Sequence, residues 1–140
     1  MIIVDTNIIS ELIKPAPSPA VTAWVAARAA GELFTTSITV AEIGYGIERL
    51  AAGQRKHLLR AAAEEVFTAY SEQVLAFDSP AAAHYAIVAN QRDRAGAPID
   101  GFDALIASIC RANDAALATR NVKDFENTGI DLVDPWDHRL

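Results

Sequence analysis

The sequence predicts an α/β fold in which a central parallel sheet of about five strands lies between two helical layers. Three observations carry that reading. Short apolar or β-branched runs of strand length recur at Ile2–Val4, Leu33–Thr36, Val74–Phe77, Ala115–Thr119 and Ile130–Val133. Most of them are separated by stretches whose apolar residues repeat at helical spacing. Proline, glycine and Ser-Pro pairs punctuate the chain where helices should start and stop. Alternating strands and helices imply a parallel sheet covered on both faces, with the functional loops at the C-terminal ends of its strands.

The elements follow in order. Ile2-Ile3-Val4 stops at Asp5, and Thr6 or Asn7 is placed to cap a short helix running to about Ile13. Lys14-Pro15-Ala16-Pro17 breaks it. Ser18-Pro19 restarts a helix, with Ser at the cap and Pro at the first helical position, and Gly31 ends it. After the second strand, Thr39 opens a helix to about Leu50 whose apolar stripe is Val40, Ile43, Ile47 and Leu50. Gly53 separates this from a helix over Arg55 to Tyr70. Ser79-Pro80 opens the next, to about Arg94. Asp100 or Gly101 begins the last, to Ala112, with Leu105, Ile106, Ile109 and Cys110 as its stripe.

A chain of 140 residues makes one domain with one core, and no linker, repeat or low-complexity run divides positions 1–140. Eighteen acids against twelve Lys and Arg leave a net charge of −6. That balance makes a poor general nucleic-acid binder, so a nucleic-acid substrate would need metal ions or a local basic patch. One cysteine cannot form an internal disulfide, which fits a reducing cytoplasm and a buried, inert thiol. The opening MIIVDTN is charged too early for a signal peptide, and no apolar stretch reaches the roughly 20 residues of a membrane span.

The fold gathers scattered acids. Asp5 ends the first strand, Glu42 lies early in the helix after the second, and Asp103 lies in the first turn of the helix before the fourth. Asn121 and Asp124 follow that fourth strand. Carboxylates crowded together raise one another's pKa unless a cation neutralises them. Mg²⁺ or Mn²⁺ suits such oxygen donors and can activate water and steady a phosphate. Each acid also has a structural use: Asp5 as a cap, Thr39-x-x-Glu42 as a capping box, Asp103 at a helix start behind a cap at Asp100, and Asp124 in a turn. The metal reading uses all four in one arrangement.

Other candidates are weaker. His57, His84 and His138 have no neighbour at metal-ligand spacing. Arg49, Arg55, Lys56, His57 and Arg60 read as a solvated helix face or a track for a nucleic-acid backbone. Arg120 and Lys123 flank the acidic edge, where they are placed to hold a phosphate. Trp24, Trp136, Tyr45 and Tyr70 read as packing residues.

The motifs resemble those of PIN-domain ribonuclease toxins of the VapC type, especially the FitB-like branch. Ile2-Ile-Val-Asp-Thr-Asn-Ile-Ile-Ser-Glu-Leu12 is similar to the family's first motif and Thr39-Val-Ala-Glu-Ile-Gly-Tyr-Gly-Ile-Glu-Arg-Leu50 to its second. Phe102-Asp-Ala-Leu-Ile-Ala-Ser108 is similar to the third, Ala118-Thr-Arg-Asn-Val-Lys-Asp-Phe125 to the fourth, and Asp134-Pro-Trp136 to the usual ending. The resemblance implies a PIN fold and a Mg²⁺- or Mn²⁺-dependent endoribonuclease, the toxin of a type II toxin–antitoxin pair. It implies Asp5, Glu42, Asp103 and Asp124 as metal-site and catalytic residues. Thr6, Asn7, Thr119, Arg120 and Asn121 would assist them or hold substrate. It also implies an RNA substrate, a cognate antitoxin, a homodimer and a cytoplasmic setting.

Two rivals stand beside it. A haloacid-dehalogenase-like phosphotransfer domain also places an Asp after strand one, but wants a second Asp where this chain has Asn7. A non-catalytic module would use its acids only to attract a basic partner.

Overall fold

The computed structural model describes all 140 residues. It contains β1 (Ile2–Val4), α1 (Thr6–Leu12), α2 (Pro19–Ala26), β2 (Leu33–Thr36), α3 (Ser37–Glu48), α4 (Gln54–Ala69), β3 (Val74–Leu75), α5 (Ser79–Arg94), α6 (Gly101–Ala112), β4 (Ala116–Ala118) and β5 (Leu132–Val133). Two 3₁₀ turns, Val122–Phe125 and Pro135–Asp137, flank β5. The strands form one sheet in the order β3-β2-β1-β4-β5, and every pairing is parallel. The expected α/β class, strand number and strand direction are all found.

The middle strand explains the layering. Successive side chains of a strand point to opposite faces. Val4 therefore joins a core with Ile8, Ile9, Trp24, Ile43 and Ile47, while Ile3 joins another with Val88, Ile106, Ile109, Leu117 and Phe125. Both faces are covered, α1–α4 contributing to the first and α5 and α6, packed on each other, to the second. A strand buried on both sides reads as a continuous apolar run, as Ile2-Ile3-Val4 does. No helix is long and apolar enough to cross a membrane. Cys110 is fully buried in the second core, and burial pushes its thiol pKa up.

Several helix starts fall elsewhere than expected, because the capping side chain differs. Asp5, not Thr6 or Asn7, occupies the N-cap of α1 and accepts the Thr6 N–H. Thr36 caps α3 by accepting the Thr39 N–H at 3.1 Å, so the helix begins at Ser37 and the Thr39–Glu42 capping box does not form. Asp78, not Ser79, caps α5. The buried side of α3 is Thr39, Ile43 and Ile47, which turns Val40 to solvent. α2 stops at Ala26, and Gly31 serves the turn into β2 at a φ of +83°.

Parallel strands place all their C-terminal ends on one edge. From β1 the sheet grows outward through β2 to β3, and the chain then returns to β4 on the other side of β1. The crevice between the ends of β1 and β4 is where open α/β sheets bind ligands.

Candidate metal centre

Asp5 sits at that crevice and is only 4% exposed. Its backbone N–H continues the sheet by donating to the Ala118 carbonyl at 2.9 Å. Its Oδ1 accepts the Thr6 N–H at 2.8 Å, and its Oδ2 accepts the Thr119 hydroxyl at 2.8 Å. The Asn7 amide donates to the same Oδ2 at 3.4 Å and to Thr119 Oγ1 at 3.1 Å. Asn7 Oδ1 in turn accepts the Arg120 N–H at 3.3 Å. One residue thus clamps the turn after β1 to the turn after β4, across 113 positions of sequence. Burial raises the Asp5 pKa, the Thr119 and Thr6 hydrogen bonds oppose it, and the charges of Glu42 and Asp124 raise it further.

Glu42 enters from the α3 side, one turn later in the helix than expected. Its Oε1 accepts the Thr6 hydroxyl at 2.7 Å. With the Thr6 proton committed there, Thr39 must donate to Thr6 across their 3.0 Å contact, and Thr36 donates to Thr39 at 3.4 Å. Each hydroxyl has one proton, so the three form a one-directional chain ending on the carboxylate. Such chains polarise in series. Thr36 and Thr39 are fully buried, which shields the chain from competing water.

Asp103 and Asp124 differ from these two. Asp100 caps α6 through the N–H groups of Phe102, at 3.1 Å, and Asp103, at 3.4 Å. That leaves the Asp103 carboxylate in the first turn with no donor of its own. Burial, then the charges of Asp5, Asp100, Asp124 and Glu42, push its pKa up to about 7. Asp124 is carried by the 3₁₀ turn after β4, close enough to act on both Asp5 and Asp103.

These groups fit a hard divalent cation in donor type and charge, since all are carboxylate oxygens that repel one another without one. They are not drawn into a cage: nowhere in the chain do three or more His, Cys, Asp or Glu side chains already stand in metal-ligating geometry. An ion such as Mg²⁺, which keeps several waters and takes only one or two carboxylates directly, does not require one.

A PIN-domain family model matches residues 2–130. The chain belongs to the PIN-domain family. It is 38% identical to the VapC ribonuclease Y4jK of Sinorhizobium fredii over 98% of this chain and 99% of that one. It is 31% identical to Toxin FitB of Neisseria gonorrhoeae over 97% and 99%. The crystal structure of FitAcB from Neisseria gonorrhoeae superposes with a TM-score of 0.90, at 31% identity over 98% of this chain and 99% of that one. Divalent-metal dependence is general among VapC nucleases built on the PIN domain.

Around the acids, the remaining candidates of this PIN domain separate. Asn121 reaches the centre through its backbone N–H, which donates to Thr119 Oγ1 at 3.0 Å, while its side chain makes no hydrogen bond. The Arg120 guanidinium lies over the Trp136 ring, 5.0 Å from its centroid. Lys56 and Arg60 pair with Glu48, so part of the basic stretch is internally neutralised. Trp24 and Tyr70 are buried as expected, but Tyr45 is 69% exposed and is not a packing residue. It and Phe102, 54% exposed, form an apolar rim beside Glu42. The histidines lie outside the acidic centre, and His84 Nδ1 is buried without a partner. Sequence reasoning missed the Thr36–Thr39 chain and Arg92, only 6% exposed, because a Thr near a helix start reads as a cap and a lone Arg in a last turn reads as solvated.

Proposed function

We propose that this PIN domain, acting as one unit over residues 1–140, is an endoribonuclease and the toxin of a type II toxin–antitoxin pair. It hydrolyses RNA phosphodiesters with Mg²⁺ or Mn²⁺. The observation that carries the reading is the buried Asp5 carboxylate in the β1–β4 crevice, within the field of Glu42, Asp103 and Asp124. Full-length relatedness to a VapC ribonuclease and to the FitB toxin supports it.

Asp5 and Asp103 would hold the metal, with Asp124 completing the site. When bound, the ion supplies charge neutralisation and Lewis acidity for water activation and phosphate binding. Asp5 is fixed in advance by Thr6 and Thr119, so little reorganisation accompanies its use. Glu42, steadied by Thr6, orients the attacking water and takes its proton as oxygen bonds to phosphorus. The phosphorus–oxygen bond to the leaving ribose breaks, and a proton from solvent neutralises that oxygen. Asn121 and Arg120 border the site, and Arg120, whose guanidinium rests on Trp136, would supply a cation for a phosphate. Asn7 stands where the phosphotransfer rival needs an acid, and its amide is spent on clamping Asp5 and Thr119.

An acidic groove suits a basic side chain from the antitoxin, whose cation replaces that of the metal. The exposed Tyr45, Phe102 and Tyr85 offer an apolar face for a second copy in a cytoplasmic homodimer. The test is cleavage of a panel of RNAs with Mg²⁺, with Mn²⁺ and after chelation. Metal-dependent cutting lost in Asp5→Asn is expected. Equal cutting by that variant, or no thermal stabilisation by Mn²⁺, overturns the reading and favours a module that only binds protein.

A further inference from the structure

Arg92 is a buried cation that no carboxylate pairs with. It lies in the last turn of α5 and is 6% exposed, yet none of the chain's three ion pairs includes it. Burying an arginine without a counter-charge is costly unless its N–H groups are well satisfied. Here they meet backbone carbonyls. Nε donates to the Ala97 carbonyl at 2.7 Å, and Nη1 donates to the carbonyl of Asp124. The Ala97 N–H returns a bond to the Arg92 carbonyl at 3.0 Å.

Those two carbonyls belong to particular segments. Ala97 lies in the connection from α5 to α6, just ahead of Asp100, which caps α6, and of Asp103 in its first turn. Asp124 lies in the 3₁₀ turn after β4. One planar guanidinium therefore spans the two backbone arms that bring Asp103 and Asp124 to the centre. Asp5 and Glu42 have hydroxyl and amide donors of their own, whereas Asp103 and Asp124 have none on their side chains. Their placement has to come from the backbone.

We propose that Arg92 is a positioning residue for the metal centre, setting the Asp103 and Asp124 arms at a common spacing through the Ala97 and Asp124 carbonyls. This rests on the reading of those two acids as metal-site groups. Arg92 touches neither metal nor substrate. Its fork geometry matters more than its charge, because two donors in one rigid plane fix two carbonyls relative to each other and a single ammonium cannot.

The experiment measures Mn²⁺ binding by the fall of the free-ion EPR signal, and RNA cleavage in parallel, for Arg92→Lys, Arg92→Gln, Asp124→Asn and the double variant Arg92→Lys/Asp124→Asn. Arg111→Lys is the control. Arg111 Nη1 also ties a carbonyl, that of Thr128 at 3.1 Å, but from the opposite end of α6 to Asp103 and beyond the 3₁₀ turn that carries Asp124. Both Arg92 variants should weaken Mn²⁺ about tenfold and lower kcat comparably, the size expected when a group that orients metal ligands is lost. KM for RNA should change less than about twofold, and Arg111→Lys should keep its Mn²⁺ affinity. In the Asp124→Asn background the Arg92→Lys penalty should shrink to about threefold or less, since the two act on one element.

Unchanged Mn²⁺ affinity in folded Arg92→Lys and Arg92→Gln, while Asp124→Asn loses it, overturns the positioning role alone. A full tenfold penalty in both backgrounds overturns it as well. Unfolding of both Arg92 variants under conditions where Arg111→Lys stays folded makes the contact merely structural. Unaltered Mn²⁺ binding in Asp124→Asn defeats the underlying reading of the site instead.

Discussion

The two halves of the acidic edge are built on opposite principles. On the β1 side, Asp5 accepts from a backbone N–H, a threonine hydroxyl and an amide, and Glu42 accepts from a second threonine hydroxyl. On the α6 side, Asp103 and Asp124 have no donors on their carboxylates and are aimed by backbone alone. The first half is fixed before any cation arrives. The second is left with unrelieved charge, and that charge makes the edge receptive to one. Preorganisation and stored repulsion are divided between different elements, so they can be removed separately.

The largest effect should come from the rigid half. Asp5→Asn keeps an oxygen for Thr6 but removes the charge, and RNA cleavage should fall about 1000-fold, as when a preorganised electrostatic group is lost. Far-UV circular dichroism should be unchanged; wild-type cleavage in this variant would erase the distinction between the halves. Asp103→Asn should cost about 100-fold in cleavage, near the upper end for groups that tune a metal centre. It should nevertheless raise the metal-free Tm by about 4 °C, because it removes repulsion. A lower metal-free Tm would show that Asp103 carries no stored charge.

The pH dependence sharpens the same contrast. The folded Asp103 carboxyl sits at about 7, above its ordinary 3.8. An acid raised in this way stabilises the fold fully below 3.8 and loses that contribution as pH rises through about 7. Metal-free wild type should therefore lose thermal stability relative to Asp103→Asn between about pH 4 and about pH 7. Parallel curves for the two proteins would contradict the assignment. Mn²⁺ at about 100 times its Kd should restore about 2.7 kcal/mol to wild type, and much less to Asp103→Asn.

The smallest change concerns the hydroxyl chain. Thr39→Val keeps the shape but severs the relay to Glu42, and kcat should fall about tenfold, with Thr39→Ser restoring most of it. Equal activity in Val and Ser variants would reduce the chain to packing.

Much of the edge was legible in the sequence. Ile2-Ile3-Val4 followed by Asp5 announces a buried strand with an acid at its end, and parallel topology then dictates where the other acids meet. Asp124 falls on the turn after β4, where the sequence predicts it. The helix starts were less readable. Asp5, Thr6 and Asn7 are all competent caps within three positions, and only the tertiary contacts decide. Thr6 is committed to Glu42, 36 residues away, and Asn7 to Thr119, 112 away. Tyr45 reads as packing from its aromatic character alone, yet it lies across α3 from the buried Thr39, Ile43 and Ile47. Arg92 gave no signal at all: nothing local distinguishes a solvated terminal-turn arginine from one buried against carbonyls.

Cys110 makes the molecule self-timing. The lone thiol sits beneath α6, the helix that also bears Asp103, and its raised pKa keeps it protonated. An alkylating reagent can reach it only when the packing around α6 opens, locally or with the whole fold. Labelling kinetics therefore time that opening, and a cation gripping the start of α6 should slow it.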